Sequence, residues 1–260
     1  MATAVVHYTA AAVSDRGRKR TSNEDAFAIS VEHGVFLVCD GMGGAAAGEI
    51  ASSLAVDEVL RMLTSRAEAV PLVKAAQEAV LTANEAILSR SQHDQNLNGM
   101  GTTLVGLLAG TPDESPRVWI FNVGDSRCYR YRSGHMAQIT HDHSLVEEQI
   151  RMGRMTRAEA ARSPFRNVIT RVLGTQQSVT PDVIEAEVEP GDLFLLCSDG
   201  LTHELADEEI ESVLNSAQSE LASRNGAGQA ALESICARLI QAANKAGGND
   251  NITCLLVRVD

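Results

Sequence analysis

The sequence predicts a single α+β domain built on antiparallel sheets. Short β-rich runs come in consecutive hairpin-like groups, and helical patterns are segregated between those groups instead of alternating with single strands. No composition shift or internal repeat divides the 260 residues, so the whole chain, 1–260, reads as one domain.

The elements follow in order. "VVHYTAAAV", "DAFAIS" and "VFLVCD" read as the first three strands. From about Ala47 to Leu63 the period becomes helical, with Ile50, Leu54, Leu60 and Leu63 near one face. A second helix is expected from about Pro71 to Ser89, its stripe made by Val73, Val80 and Ile87, with proline at the start where a helix accepts it. After the polar loop "HDQNLNGMG" the chain returns to strands in "TTLVGLLAG", "RVWIFNVGD", "SRCYRYR" and "HMAQIT", the last two joined by a turn at Gly134. A charged helical patch, "HSLVEEQIRMG", precedes "TRAEAAR", where Thr156 and Glu159 have capping-box spacing. Strands "DVIEAEV" and "DLFLLCSD" lead to helices near Asp207–Leu214 and Ala230–Ala243, and "NITCLLVRV" ends the chain. The stretch "NSAQSELASRNGAGQA" reads as a loop.

Composition narrows the function. With a formal net charge of −12 there is no basic footprint for nucleic acid or an anionic membrane, so neither is expected as a partner. Aromatics are 3% of the chain, so the core must come from Val, Leu, Ile and Ala. The five cysteines form no CxxC pair and no zinc spacing, and most lie in apolar runs. They suit a reducing compartment. No run approaches the roughly twenty apolar residues of a membrane span, and the N-terminus lacks the basic start of a signal peptide. A cytoplasmic monomer is the expectation.

The chemistry gathers at strand ends. "VFLVCD" ends on Asp40, "NVGDS" carries Asp125, "LLCSDG" carries Asp199, and "GGNDN" places Asp250 just before the last strand. Glu24 and Asp25 in "RTSNED" directly precede a strand. Any one Asp-Gly after a strand is ordinarily a turn. Four acids at the edges of apolar strands can converge where the strands pack together. Converging carboxylates repel, and a divalent cation relieves the repulsion. Oxygen donors without thiol or imidazole select Mg²⁺ or Mn²⁺ over Zn²⁺. Two such ions about 3.5–4 Å apart share a bridging carboxylate and activate water. They also make the site locally cationic, which reconciles an anionic substrate with an acidic chain. Arg20, whose guanidinium forks onto phosphate, is the candidate substrate-binding residue, although alone it reads as one member of the basic run "RGRKR". The pattern is that of phosphate-ester hydrolysis without a covalent intermediate.

Taken in order, "RTSNEDAF", "VCDGMGG", "NVGDSRCYRYR", "NVITRVLG", "LLCSDGL" and "GGNDNITCLLV" resemble metal-dependent serine/threonine protein phosphatases of the protein phosphatase 2C type, in their bacterial form. The resemblance covers Ala10 to Val259. It implies a four-layer α-β-β-α sandwich, two antiparallel sheets flanked by helix pairs, with the metals at one end between the sheets. It implies that Asp40 bridges two core Mn²⁺ or Mg²⁺ ions, with the Gly41 carbonyl on one and Asp199 and Asp250 on the other. By the same likeness Glu24 helps hold the second ion, Asp125 belongs to a third, weaker one, Asp25 accompanies them, and Arg20 binds the phosphoryl group. The segment from about His141 to Val172 corresponds to a flap beside the site. The partners implied are phosphorylated proteins, with a cognate Ser/Thr kinase or its targets. Many relatives carry a histidine in the glycine stretch as general acid; this chain has Met42 and Ala45 there. His141 and His143 read as surface or flap residues.

Two other readings compete. A non-catalytic binding module of the same fold is suggested by the missing histidine alone. More remotely, Gly41, Gly43 and Ala46 match the G-x-G-x-x-[GA] dinucleotide fingerprint, which requires a parallel sheet. A D-x-D phosphatase fails because Gly41 and Met42 follow Asp40, and no Gly-Lys-[Ser/Thr] supports a P-loop.

Overall fold

The computed structural model describes residues 7–67, 69–110, 116–160, 162–221 and 228–260. Strands β1 (Tyr8–Asp15), β7 (Arg127–Arg132), β8 (His135–Gln138), β10 (Leu193–Cys197) and β11 (Ile252–Val259) form one sheet in the order β1-β11-β10-β7-β8. The other contains β2 (Asp25–Ser30), β3 (Val35–Met42), β5 (Leu104–Ala109), β6 (Arg117–Val123) and β9 (Asp182–Glu187) in the order β2-β3-β5-β6-β9. The short β4 (Gly101–Thr102) pairs beside β3. Among the described residues, every pairing between these strands is antiparallel. That removes the dinucleotide reading, whose crevice lies between parallel strands.

Strands in the middle of the sandwich are buried on both faces, which is why they read as unbroken apolar runs. In β10, Leu193, Leu195 and Cys197 face the helices α6 (Asp207–Ser216) and α8 (Gly228–Ala246), while Phe194 and Leu196 face the opposite sheet. In β3, Val35, Leu37 and Cys39 pack under α1 (Ala45–Thr64) and α2 (Leu72–His93), while Phe36 and Val38 point between the sheets. The period of two divides the core into an inter-sheet layer and two helix–sheet layers. Together these make the α-β-β-α sandwich. Leu255, fully buried on β11 in the inter-sheet layer, is a direct test of it. Leu255→Ala is expected to cost about 2–5 kcal/mol of stability, read from the urea midpoint at unchanged slope.

The β7–β8 hairpin turns through Ser133 and Gly134, at φ 53° and 86°, the positive pair that matches the twist of the strands. Some expectations shift. In α1 the deepest face is Ala51, Ala55, Val59 and Leu63, whereas Ile50, Leu54 and Leu60 only pack against its edge. Small residues let α1 lie close to β3. Val73 is exposed in the first turn of α2, and Ala76, Ala79, Val80, Ala83 and Ile87 form the stripe instead. Within the expected loop after Leu214, α6 runs on to Ser216 and α7 (Gln218–Leu221) follows. Residues 222–227 of that stretch, and Val5 and Val6 of the expected first strand, lie outside the described residues. No helix among the described residues is long and apolar enough to cross a membrane.

Candidate active site

The acids converge at one end of the sandwich, between the sheets. Asp40 and Asp25 are direct cross-strand partners on β3 and β2. Asp125 follows β6, Asp199 opens the short helix α5 (Asp199–Thr202), and Asp250 precedes β11. Contrary to the expectation that β3 stops at Asp40, the strand continues to Met42. Its carboxylate is therefore held by strand backbone. Asp40 N–H donates to Thr103 Oγ1 at 3.0 Å, and the Asp40 carbonyl accepts from Thr103 N–H at 2.9 Å and Thr102 Oγ1 at 2.8 Å.

Burial and mutual repulsion dominate the electrostatics. Burial, then the charges of Asp25, Asp199, Asp125 and Asp250, push the Asp40 carboxyl well above the usual range. Asp125 rises to about 8 through burial and the charges of Asp199 and Asp142. Asp25 rises to about 7 through burial, although Ser198 Oγ and Thr253 Oγ1 donate to its Oδ2 at 2.8 and 2.6 Å. Three oxygens of the group, Asp25 Oδ1, Asp125 Oδ1 and Asp199 Oδ1, are buried without a hydrogen-bond partner. Buried, unpartnered anionic oxygens call for a cation, and an all-carboxylate donor set suits Mg²⁺ or Mn²⁺. Among the described residues no three such groups already stand as a closed metal-binding cluster. Two of the acids have basic partners instead: Arg20 Nη2 donates to Asp250 Oδ2 at 2.7 Å, and His203 Nδ1 lies 3.3 Å from Asp199 Oδ2.

The glycines bring these loops into contact. A Cβ on Gly41 would stand 2.1 Å from the Gly48 carbonyl oxygen and 2.7 Å from that of Glu24. A Cβ on Gly48 would stand 2.0 Å from Glu24 Oε2. The glycine stretch thus lets the first turns of α1 close over Glu24, whose carbonyl also accepts from Gly41 N–H and Ser52 Oγ. Gly41→Ala is expected to cost roughly 1–3 kcal/mol or more, seen as a lowered melting temperature, because its obstacles are backbone atoms. Gly200 is confined in the same way by the Asn251 carbonyl oxygen, 1.9 Å from its would-be Cβ.

Several residues of the site carry no motif of their own. Asn251 is 3% exposed; its Oδ1 accepts from Glu24 N–H, and its Nδ2 donates to the carbonyls of Arg16 and Ser22. It ties the N-terminal and C-terminal acids together. Ser198, Thr253 and Thr103 support Asp25 and Asp40; their only sequence signal is a hydroxyl beside or within an apolar strand. His203 was also unmarked, being one helical turn after Asp199.

His143, expected on the surface or in the flap, lies within the 141–172 segment but is not a surface residue. It is 3% exposed, its Nδ1 accepts from Gly124 N–H at 3.1 Å, and its Nε2 lies 3.3 Å from Asp182 Oδ2. It braces the turn before Asp125. His141 is exposed. Met42 ends β3 and Ala45 opens α1, so no histidine enters from the glycine stretch.

A cleft of about 570 Å³ starts at Asp125, Asp199 and Asp250 and runs under the 141–172 segment. That segment contains α3 (Leu145–Arg151), capped by Ser144, and α4 (Arg157–Ala160). The anticipated capping box is present: Thr156 N–H donates to Glu159 Oε2 at 2.8 Å, and Glu159 N–H to Thr156 Oγ1 at 3.3 Å. Arg157 and Arg166 line the far wall. Arg127, also on the wall, is spent on a fork to Asp142 at 2.7–3.1 Å.

An antiparallel sandwich with clustered carboxylates at the mouth of a cleft defines a class, the metal-dependent phosphatases of this architecture. The chain belongs to the protein phosphatase 2C family, whose pattern matches residues 15–256. It is 37% identical over 257 residues to the serine/threonine phosphatase stp of Listeria monocytogenes serotype 4b, covering 95% of this chain and 94% of the relative. The crystal structure of the Mycobacterium tuberculosis serine/threonine phosphatase PstP/Ppp superposes with a TM-score of 0.84 at 33% identity, covering 98% of this chain and 99% of that one. The catalytic domain of serine/threonine protein phosphatase PstP in complex with two manganese ions superposes at 0.82, with 33% identity and the same coverage.

Proposed function

We propose that this protein hydrolyses phosphoserine and phosphothreonine esters of proteins, using two divalent metal ions, Mn²⁺ or Mg²⁺. The observation that carries the reading is the convergence of Asp40, Asp125, Asp199 and Asp250 from both sheets, with buried oxygens lacking any partner. Asp40, centred among the other acids, would be shared by the two core ions, with the Gly41 carbonyl on one and Asp199 and Asp250 on the other. Glu24 would help hold the second ion, and Asp125 would belong to a third. Asp25 sits behind them, and its hydrogen bonds to Ser198 and Thr253 fix the strand ends. The ions, when bound, polarise the phosphoryl group and supply a water activated for in-line attack.

The chain's own residues do the rest. Arg20 is half-exposed at the rim and paired with Asp250. Its fork meets the phosphoryl oxygens and orients the ester, exchanging one anionic partner for another. The flap roofs the cleft and limits solvent at the reacting end. The domain, 1–260, works as a monomer in the cytoplasm on targets of a Ser/Thr kinase; its five buried free cysteines support the reducing setting.

Hydrolysis of p-nitrophenyl phosphate and of a phosphoserine peptide should require Mn²⁺, stop with EDTA, and be lost in Asp199→Asn. Absence of metal-dependent turnover on every phospho-substrate refutes the reading. Since neither Met42 nor Ala45 can donate a proton, Met42→His or Ala45→His is expected to raise phosphoserine turnover, by up to about 10²-fold. The gain on p-nitrophenyl phosphate should be smaller, because its leaving group needs little protonation. Equal or no gains on both esters would show that no donor is wanting there.

A further inference from the structure

The turn that follows Asp199 carries two polar side chains that the proposed chemistry does not use. Leu201 and Leu205 are buried against the helix layer of α6 and α8, which fixes the backbone of this turn. Between them, the consecutive residues His203 and Glu204 reach two different segments of the site.

His203 holds the first segment. Its N–H donates to the Asp199 carbonyl at 2.8 Å, and its ring Nδ1 lies 3.3 Å from Asp199 Oδ2. A carboxylate only accepts, so the nitrogen facing it is the one that carries a proton. The other oxygen, Asp199 Oδ1, is buried without a partner. One oxygen is therefore occupied by this chain, and one is left for a cation.

Glu204 holds the second segment. Its Oε1 accepts from Asn249 N–H at 2.9 Å and from Asn249 Nδ2 at 2.7 Å. Asn249 directly precedes Asp250, so these two bonds fix the loop between α8 and β11 where that acid begins its approach. The Asn251 carbonyl, against Gly200, already brings the two segments into contact. His203, Glu204 and Asn249 line the same cleft as Asp199 and Asp250.

We propose that His203 and Glu204 are positioning residues that set the reach between the Asp199 and Asp250 carboxylates, and hence the affinity of the divalent ion those two acids share. The inference rests on the metal-site reading given above. Neither residue needs to touch substrate.

The test is Mn²⁺ titration calorimetry on the full chain, stripped with EDTA and dialysed. His203→Leu and Glu204→Leu should each weaken one of the two core ions by about 10- to 100-fold, the usual effect of losing a partner that orients a metal ligand, and leave the other in place. His203→Asn keeps an N–H donor near the position of Nδ1, and Glu204→Gln keeps an acceptor oxygen, so both should recover most of that loss. Excess Mn²⁺ should restore kcat on p-nitrophenyl phosphate in the leucine variants with KM unchanged, and melting in EDTA shows separately that each variant is folded. Unchanged affinity in both leucine variants, equal weakening of both ions, or losses that the conservative variants do not recover would overturn the proposal. The expected Mn²⁺ dependences without any turnover would support it while refuting the hydrolytic reading. Absence of saturable Mn²⁺ binding to the wild type would refute both.

Discussion

Asp40→Asn is expected to reduce metal-dependent turnover by about 10³-fold, roughly 4 kcal/mol of transition-state stabilisation, while making the metal-free protein more stable. Both effects come from one geometry. Asp40 lies opposite Asp25 across the β2–β3 ladder and feels the charges of Asp199, Asp125 and Asp250. Without a cation that charge is repulsion, so an isosteric amide relieves the fold. In its proposed role with cations it would be the shared ligand, so the same amide should weaken their hold. The strand position should survive, because Thr102 and Thr103 bind the Asp40 backbone and not its side chain. Thermal melting in EDTA, Mn²⁺ titration calorimetry and kcat/KM read the three consequences separately. Persistent turnover together with a lowered melting temperature in EDTA would remove Asp40 from the bridging role.

Arg20→Ala is expected to lower kcat/KM by about 10- to 100-fold, the range for losing a hydrogen bond to a charged group. Its signature is what it leaves intact. Arg20 Nη2 occupies Asp250 Oδ2 at 2.7 Å, and Nη1 stands 4.0 Å from Glu24 Oε1. Removing the guanidinium frees both carboxylates, so Mn²⁺ affinity should hold or rise while phosphate-ester turnover falls. Arg20→Lys should be intermediate, since an ammonium keeps the charge and loses the fork. If Mn²⁺ affinity and turnover fall together in Arg20→Ala, the residue serves to shape the metal site and not to bind substrate. Comparing the two variants separates loss of metal from loss of substrate orientation, which a single dead variant does not.

The acids at strand ends were legible because their surroundings repeat: an apolar run, a carboxylate and small residues, four times in one chain. Residues that hold those acids in place carried no such repetition. Asn251, Ser198, Thr253 and Thr103 are single polar groups, and each gains meaning from an acid far away in sequence, as Ser198 does from Asp25. The opening glycines were ambiguous for a related reason. Read locally, "DGMGGAAAGE" fits a turn, a dinucleotide cradle or a metal loop, and only contact between Gly41, Gly48 and Glu24 shows what the missing side chains make room for.

From sequence alone, the alternation and grouping of strands determined the antiparallel α+β class, and the order of motifs determined the family. Local patterns suffice there, since the two-residue period and the capping residues act within a few positions. Only the tertiary structure decided which groups face one another. It turned Val73 outward, buried His143 behind Asp125, placed His203 against Asp199 and paired Arg20 with Asp250. Those pairings join residues up to 230 positions apart. The energies that set them, burial and charge at close range, depend on distance in space, which sequence separation does not reveal.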